Sequence, residues 1–266
     1  MKNACAQKLH GVTAPVADPV FLYVEGARIA CLVREGKAPG IFWLGGFKSA
    51  MDGNKANALD DWAVRRGRAF ARFDYFGHGR SGGDFRKGTI TRWRDDALAV
   101  LDRLAVGPQI LVGSSMGAWL ALLVGAMRAD RVAGLVLIAP AVDFTQALLE
   151  ARLDDRARRA IAESGEWLRP SVYDPEPYPI TRALLEDGRK YTLLGRGPLV
   201  MPAPVRILHG MNDPDVPWQH GLATFEAMQG NVRLTLVRDG DHRLSRPDDL
   251  RLLERTLDDL CEEVGC

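Results

Sequence analysis

QILVGSSMGAWLALLVGAM, residues 109–127, joins a strand-like run to a helix-like run with no linker between them. QILV is a short apolar stretch of strand length, AWLALLVGAM is a helical stretch without a charge, and GSSMG separates the two. A strand that turns directly into a helix around G-x-S-x-G must make a sharp corner. Glycine is required on both sides of it, because a β-carbon at 113 or 117 would strike the neighbouring strand or helix. The corner projects Ser115 from the end of the strand. It also turns the amide of Met116 toward the same space, at the positive end of a helix. Ser114, at the variable position, is read as packing. Residues 110–127 are uncharged, but the GSSMG interruption marks a buried strand entering a buried helix and not a membrane span.

Outward from this corner, apolar strand runs alternate with amphipathic helical patterns, the signature of a parallel sheet covered on both faces. VFLYVE (20–25) and RIACLVRE (28–35) predict an antiparallel hairpin, and IFWLG (41–45) predicts a central strand. A helix follows at 55–66, then a strand at 68–74, a helix at 92–105 and the strand at 108–113. Strands at 131–140, 205–210 and 232–240 and a helix from about residue 248 complete the pattern. These runs make eight strands in a mostly parallel sheet. Between 141 and 200 the rhythm breaks into charged helical segments, ALLEARLDDRARRAIAES and TRALLEDGRK, separated by WLRPSVYDPEPYP. The chain is therefore expected to be one α/β domain over 1–266, with a helical lid inserted at 141–200 and no repeat or low-complexity linker.

Composition narrows the function classes. The 266 residues are 47% hydrophobic and 26% charged, as in folded globular proteins. With 35 basic against 34 acidic residues the formal net charge is +1, and no basic stripe marks a nucleic-acid or membrane partner. Cys5, Cys31, Cys261 and Cys266 show no C-x-x-C spacing, so neither a disulfide framework nor a metal site is expected. With no apolar run of signal-peptide length in the first twenty residues, the expected location is the reducing cytoplasm.

A serine hydroxyl attacks a carbonyl only if a base removes its proton, and the residue type for that work at neutral pH is histidine. His10, His78, His209, His220 and His242 are available. Only His242, in DGDHRLS after the last strand, is placed to reach back over Ser115 in the chain order serine, acid, histidine. The acid must accept a hydrogen bond from the imidazole at the end of another strand. VRILHGMNDPDVPW offers Asp213 and Asp215, and the spacing HGxxDxxVP selects Asp213. Asp143, just past the strand ending at Pro140, is the alternative acid. For the oxyanion, the Met116 amide needs a second donor, and Phe47, after Gly45 and Gly46, is the candidate; the alternative makes Phe47 a hydrophobic plug.

LGGFKSAMDGNKA (44–56), ARFDYFGHGRSGG (71–83), VGSSMGAWLALL (112–123), ILHGMNDPDVPW (207–218) and GDHRLS (240–245) together resemble the α/β-hydrolases of the mitochondrial palmitoyl-protein thioesterase and mycophenolic acid acyl-glucuronide esterase group. The resemblance spans roughly residues 20–246. It implies the α/β-hydrolase fold, hydrolysis of carboxylic esters or thioesters, a triad of Ser115, Asp213 and His242, and no cofactor. The expected partner is a small ester or thioester or an acylated protein.

In the lid, Trp167, Tyr173, Tyr178 and Leu193 are candidates for an acyl-pocket wall, with local packing as the bland alternative. Arg152, Arg156, Arg158 and Arg159 are expected on a solvated helix face, paired with Asp154 and Asp155 at helical spacing. Three rival functions share these motifs: a peptidase, a carbon–carbon bond hydrolase and a non-catalytic ligand-binding protein. A haloalkane dehalogenase is disfavoured because it needs aspartate where Ser115 stands.

Overall fold

The computed structural model describes residues 18–170 and 176–265. Strands β1 (Val20–Val24) and β2 (Ala27–Arg34) form the predicted antiparallel hairpin, with Val24 opposite Ala27 across the turn. β3 (Lys37–Leu44), α1 (Asn54–Arg66), β4 (Arg68–Phe73), α2 (Ile90–Arg103), β5 (Gln109–Ser114), α3 (Met116–Met127) and β6 (Val132–Ile138) follow. Each strand–helix unit has its own punctuation: Gly67, at φ 64°, ends α1 in the left-handed region, and the Thr89 hydroxyl accepts from the Arg92 amide to start α2.

After β6 the chain leaves the sheet for α4 (Asp155–Ser164), β7 (Glu166–Arg169), β8 (Tyr178–Thr181), α5 (Arg182–Gly188) and β9 (Leu199–Val200). It returns as β10 (Val205–Gly210), α6 (Trp218–Ala227), β11 (Met228–Gln229), β12 (Val232–Val237) and α7 (Pro247–Glu263). The excursion differs from expectation in two ways. The segment predicted as one charged helix breaks, because Asp154 accepts from the Ala157 amide and starts α4 afresh. Across the Pro and aromatic cluster, β7 and β8 pair antiparallel.

The main sheet has eight strands in the order β1-β2-β4-β3-β5-β6-β10-β12. It is parallel from β4 through β12, with β1 and β2 antiparallel at one edge. Side chains along β5 alternate between two cores: Ile110 and Val112 face the layer that holds α1 and α7, and Leu111 faces the layer of α2 and α3. That double burial is why the central strands read as continuous apolar runs. Residues Met116 through Gly125 of α3 are all buried. Among the described residues no helix is long and apolar enough to cross a membrane. β12 lies at the opposite edge and, among the described residues, pairs only with β10.

Candidate active site

Ser115 sits between the last residue of β5 and the first of α3, at φ 56° and ψ −119°. Its strained backbone is held by the Ser115 amide donating to the Ile138 carbonyl at 2.9 Å. The need for glycine on either side is steric. A β-carbon on Gly113 would stand 2.3 Å from the Gly117 oxygen, and one on Gly117 would stand 2.1 Å from the Leu44 oxygen. The loop after β3 also closes on the corner, since a β-carbon on Gly46 would lie 3.5 Å from Ser115 Cβ.

Two loops from the far half of the sheet bring the remaining groups to this corner. The Ser115 hydroxyl lies 3.1 Å from His242 Nε2, in the loop between β12 and α7. His242 Nδ1 lies 2.7 Å from Asp213 Oδ2, in the loop after β10. The other Asp213 oxygen accepts from the amides of Asp215 at 2.9 Å and Val216 at 2.8 Å. Burial alone would raise the Asp213 carboxyl. Hydrogen bonds from His209 and His242 outweigh it and hold the group well below the usual carboxylate range. Asp213 is therefore an anion facing a single exposed-side partner, the imidazole of His242.

The alternative acid is elsewhere. Asp143 is buried, and its carboxylate accepts from the amides of Leu193 at 2.8 Å and Leu194 at 2.8 Å. It anchors the excursion and does not reach the histidine loop. His220 gives a ring nitrogen to the Val142 carbonyl at 2.7 Å, and His10 lies outside the described residues.

Phe47 follows Gly46 into the same space, with its ring against Phe85, Trp93, Phe144 and Tyr178. The loop's shape comes from the turn after β4, where His78 is the hydrogen-bonded turn residue that its place in YFGHGRS suggests. His78 Nε2 accepts from the Lys48 amide at 3.0 Å, and Asp74 Oδ1 accepts from the Met51 amide at 2.7 Å. Burial pushes His78 down to about 4, so its ring is neutral at physiological pH. Because Nε2 is the acceptor, the proton sits on Nδ1, which donates to the Phe76 carbonyl at 3.1 Å.

A cavity of about 520 Å³ opens over Ser115 and His242. Tyr178 lines it. Trp167 and Leu193 do not: the first packs its half-buried ring against the core from β7, and the amide of the second is held by Asp143. Tyr173 lies outside the described residues. Phe144, Leu148 and Leu149 supply the apolar wall instead, from the irregular turn that precedes α4. Arg152 departs from the expected helix-face pairing. It precedes α4, lines the cavity and donates to the Asp215 carbonyl at 2.9 Å, while Asp154 is occupied as the helix cap. Arg158 likewise donates to the carbonyls of Leu153 and Glu150.

Asp213, Asp215 and His242 also bring donor atoms within 4.8 Å of one another. A cation there would have to part the 2.7 Å contact between Asp213 and His242, so the hydrogen bond accounts for the cluster.

Comparisons with known proteins agree with this architecture. A model of the alpha/beta hydrolase family matches residues 39–251. The mitochondrial palmitoyl-protein thioesterase ABHD10 of Mus musculus is 40% identical over 233 residues, covering 87% of this chain and 78% of that protein. A crystal structure of a hydrolase from Agrobacterium vitis S4 is 47% identical with a TM-score of 0.87, covering 91% of this chain and 97% of that one. The mouse alpha/beta hydrolase domain-containing protein 10 structure is 37% identical with a TM-score of 0.86, covering 94% of this chain and all of that one (100%).

Proposed function

Since the chain belongs to the alpha/beta hydrolase family, we propose that it cleaves carboxylic esters or thioesters through an acyl-enzyme on Ser115. The observation that carries the reading is the unbroken relay of Asp213, His242 and Ser115, at 2.7 and 3.1 Å, ending on a serine at a strained strand–helix corner. In this reading the Ser115 hydroxyl donates its proton to His242 Nε2 as Oγ bonds to the carbonyl carbon. Asp213 fixes the imidazole tautomer and stabilises the positive charge that develops on the ring. Negative charge on the carbonyl oxygen is met by the Met116 and Phe47 amides. His242 then returns its proton to the leaving group, and water repeats the sequence on the acyl-enzyme.

The wall of Phe144, Leu148, Leu149 and Tyr178 supports an acyl group as the part of the substrate held in the cavity. ABHD10 is named for palmitoyl-protein thioesters, and a long-chain acyl thioester, small or on a protein, is the substrate class we carry over. Residues 141–200 are read as a lid inserted into one domain. Cys31 is a buried free thiol, which supports the reducing cytoplasm we assign.

The test is labelling by a fluorophosphonate probe, with the modified residue mapped by mass spectrometry, alongside a panel of p-nitrophenyl esters and acyl thioesters of varied chain length. Wild type should label at Ser115 and turn over at least one chain length. Ser115→Ala should lose label and several orders of magnitude in turnover while keeping its melting temperature. Wild-type activity in Ser115→Ala would overturn the reading.

A further inference from the structure

His242 stands in the segment 238–246, between the end of β12 and the start of α7. The turn just past it is strained. Leu244 has φ 42°, in the left-handed region that side chains other than glycine rarely enter, and its amide donates to Asp241 Oδ1 at 2.9 Å. The Leu244 side chain is buried in the core layer of α1 and α7. A leucine keeps such a backbone only where the contacts around it over-determine it.

One of those contacts comes from across the fold. Lys55, in the first turn of α1, donates from Nζ to the carbonyl of Arg243, the residue between His242 and Leu244. Lys55 Nζ also lies 3.4 Å from the Ser245 hydroxyl, which itself donates to the Arg243 carbonyl at 3.0 Å. The peptide that leads from the histidine into the strained residue is thus held by two donors, one local and one 188 residues away in the chain. Lys55 is half-buried. Burial pulls its ammonium down to about 8, Asp241 and Asp249 act against that pull, and Arg243 adds to it. At neutral pH the group keeps its charge, and a charged donor makes the stronger hydrogen bond to a carbonyl. The first turn of a helix is the wrong end for a cation, since the positive pole of the helix lies there. What Nζ holds accounts for a lysine that the helix itself does not favour.

Two kinds of hold therefore act on His242. Asp213 on Nδ1 and Ser115 on Nε2 set the direction of the ring, while the clamp on the next peptide sets where the backbone stands. We propose that Lys55 is a positioning residue for the base: it ties the peptide past His242 to α1, so that the imidazole stays within reach of the Ser115 hydroxyl. This deepens the ester and thioester reading above and rests on it. α1 packs on β3 and β4 inside the sheet, so the tie runs from the interior of the fold to a loop carried by its outermost strand. A base displaced by even about 1 Å takes up the serine proton far less readily.

The test compares Lys55→Met, which keeps a stem of similar length without the donor, with Lys55→Arg, which keeps N–H donors. Steady-state kinetics use the p-nitrophenyl ester that wild type turns over best, beside fluorophosphonate labelling rates and melting temperatures. Lys55→Met should lose about tenfold or more in kcat with KM within about twofold, and its labelling rate should fall in parallel. Its melting temperature should stay close to that of wild type, because the change also relieves a desolvated ammonium. Lys55→Arg should recover most of the loss. Ser245→Ala, which removes only the local donor, should lose a few-fold in kcat, and combined with Lys55→Met should be slower than either alone. An unchanged kcat and labelling rate in Lys55→Met, a rise in KM alone, or a Lys55→Arg no better than Lys55→Met would each overturn the inference while leaving serine hydrolysis standing. A wild type that neither labels at Ser115 nor turns over any ester or thioester would instead overturn the underlying reading.

Discussion

His209 Nε2 stands 3.5 Å from the same Asp213 oxygen that His242 holds, while hydrogen bonding to the Val216 carbonyl at 2.9 Å. The His209 ring is fully buried, and its Nδ1 has no hydrogen-bond partner among the described residues. A proton on Nδ1 would have no acceptor there. The hydrogen on Nε2 is shared between Val216 and Asp213. A second donor thus steadies the acid from the buried side.

Removing that donor leaves the Asp213 carboxylate less firmly placed against His242. His209→Phe should lower kcat by about tenfold to a hundredfold with KM little changed, from a loss of about 1–3 kcal/mol. His209→Gln, which keeps an N–H, should lose less in the same steady-state assay. An unchanged kcat in His209→Phe would reduce His209 to packing.

Asp213→Asn tests the acid more directly. Asparagine fits the pocket and can still accept from the Val216 amide, but it no longer stabilises an imidazolium or fixes its tautomer. Turnover should fall by about 10⁴ with KM little changed. Steady-state kinetics beside a circular-dichroism spectrum would show whether the loss is chemical or structural.

Gly117→Ala should fail for a purely steric reason. The new β-carbon would meet two backbone carbonyls, at 2.1 Å on Leu44 and 2.4 Å on Gly45, and neither can swing aside as a side chain can. A loss of about 3 kcal/mol in urea unfolding is expected, with weaker fluorophosphonate labelling. Unchanged stability would mean that strand β3 moves more freely than its central position in the sheet allows.

The neutral ring of His78 sets a pH signature. Its pKa is about 4 in the fold against an ordinary 6.5, so between those values the unfolded chain binds a proton that the folded one refuses. This contribution is whole above pH 6.5, falls as pH drops toward 4, and amounts to on the order of 3 kcal/mol. Asp96, which burial raises to about 6, acts with the opposite sign, so the informative quantity is the difference between wild type and a variant. His78→Gln retains an acceptor for the Lys48 amide and should flatten the pH dependence of urea stability in this window.

Sequence pattern carried the eight strands because each is an apolar run bounded by turn residues, and the two-sided burial of Ile110, Leu111 and Val112 is what makes such a run continuous. It also carried the meeting of Ser115, Asp213 and His242, since each stands just past the end of a recognisable strand. The excursion was less legible. β7 and β8 are four residues each, too short to show a period, and prolines lie close by. Nothing in the spacing of Phe144, Leu148 and Leu149 distinguishes a cavity wall from core, because the difference is made by what lies opposite in space. His78 and His209 work through contacts to backbone and to another side chain, which leave no periodic trace. The Arg152 to Asp215 contact spans the excursion and is likewise invisible to local charge pairing.

The nucleophile and its base stand on ground of unequal firmness. Ser115 follows β5, flanked by partners on both sides, whereas His242 hangs from β12, the outermost strand, with one neighbour and a half-exposed surface. Warming that frays this border carries the imidazole away from an alcohol that has not moved. The working lifetime should thus be set at the margin of the sheet, with activity lost at a lower temperature than the melting transition when the two are followed side by side.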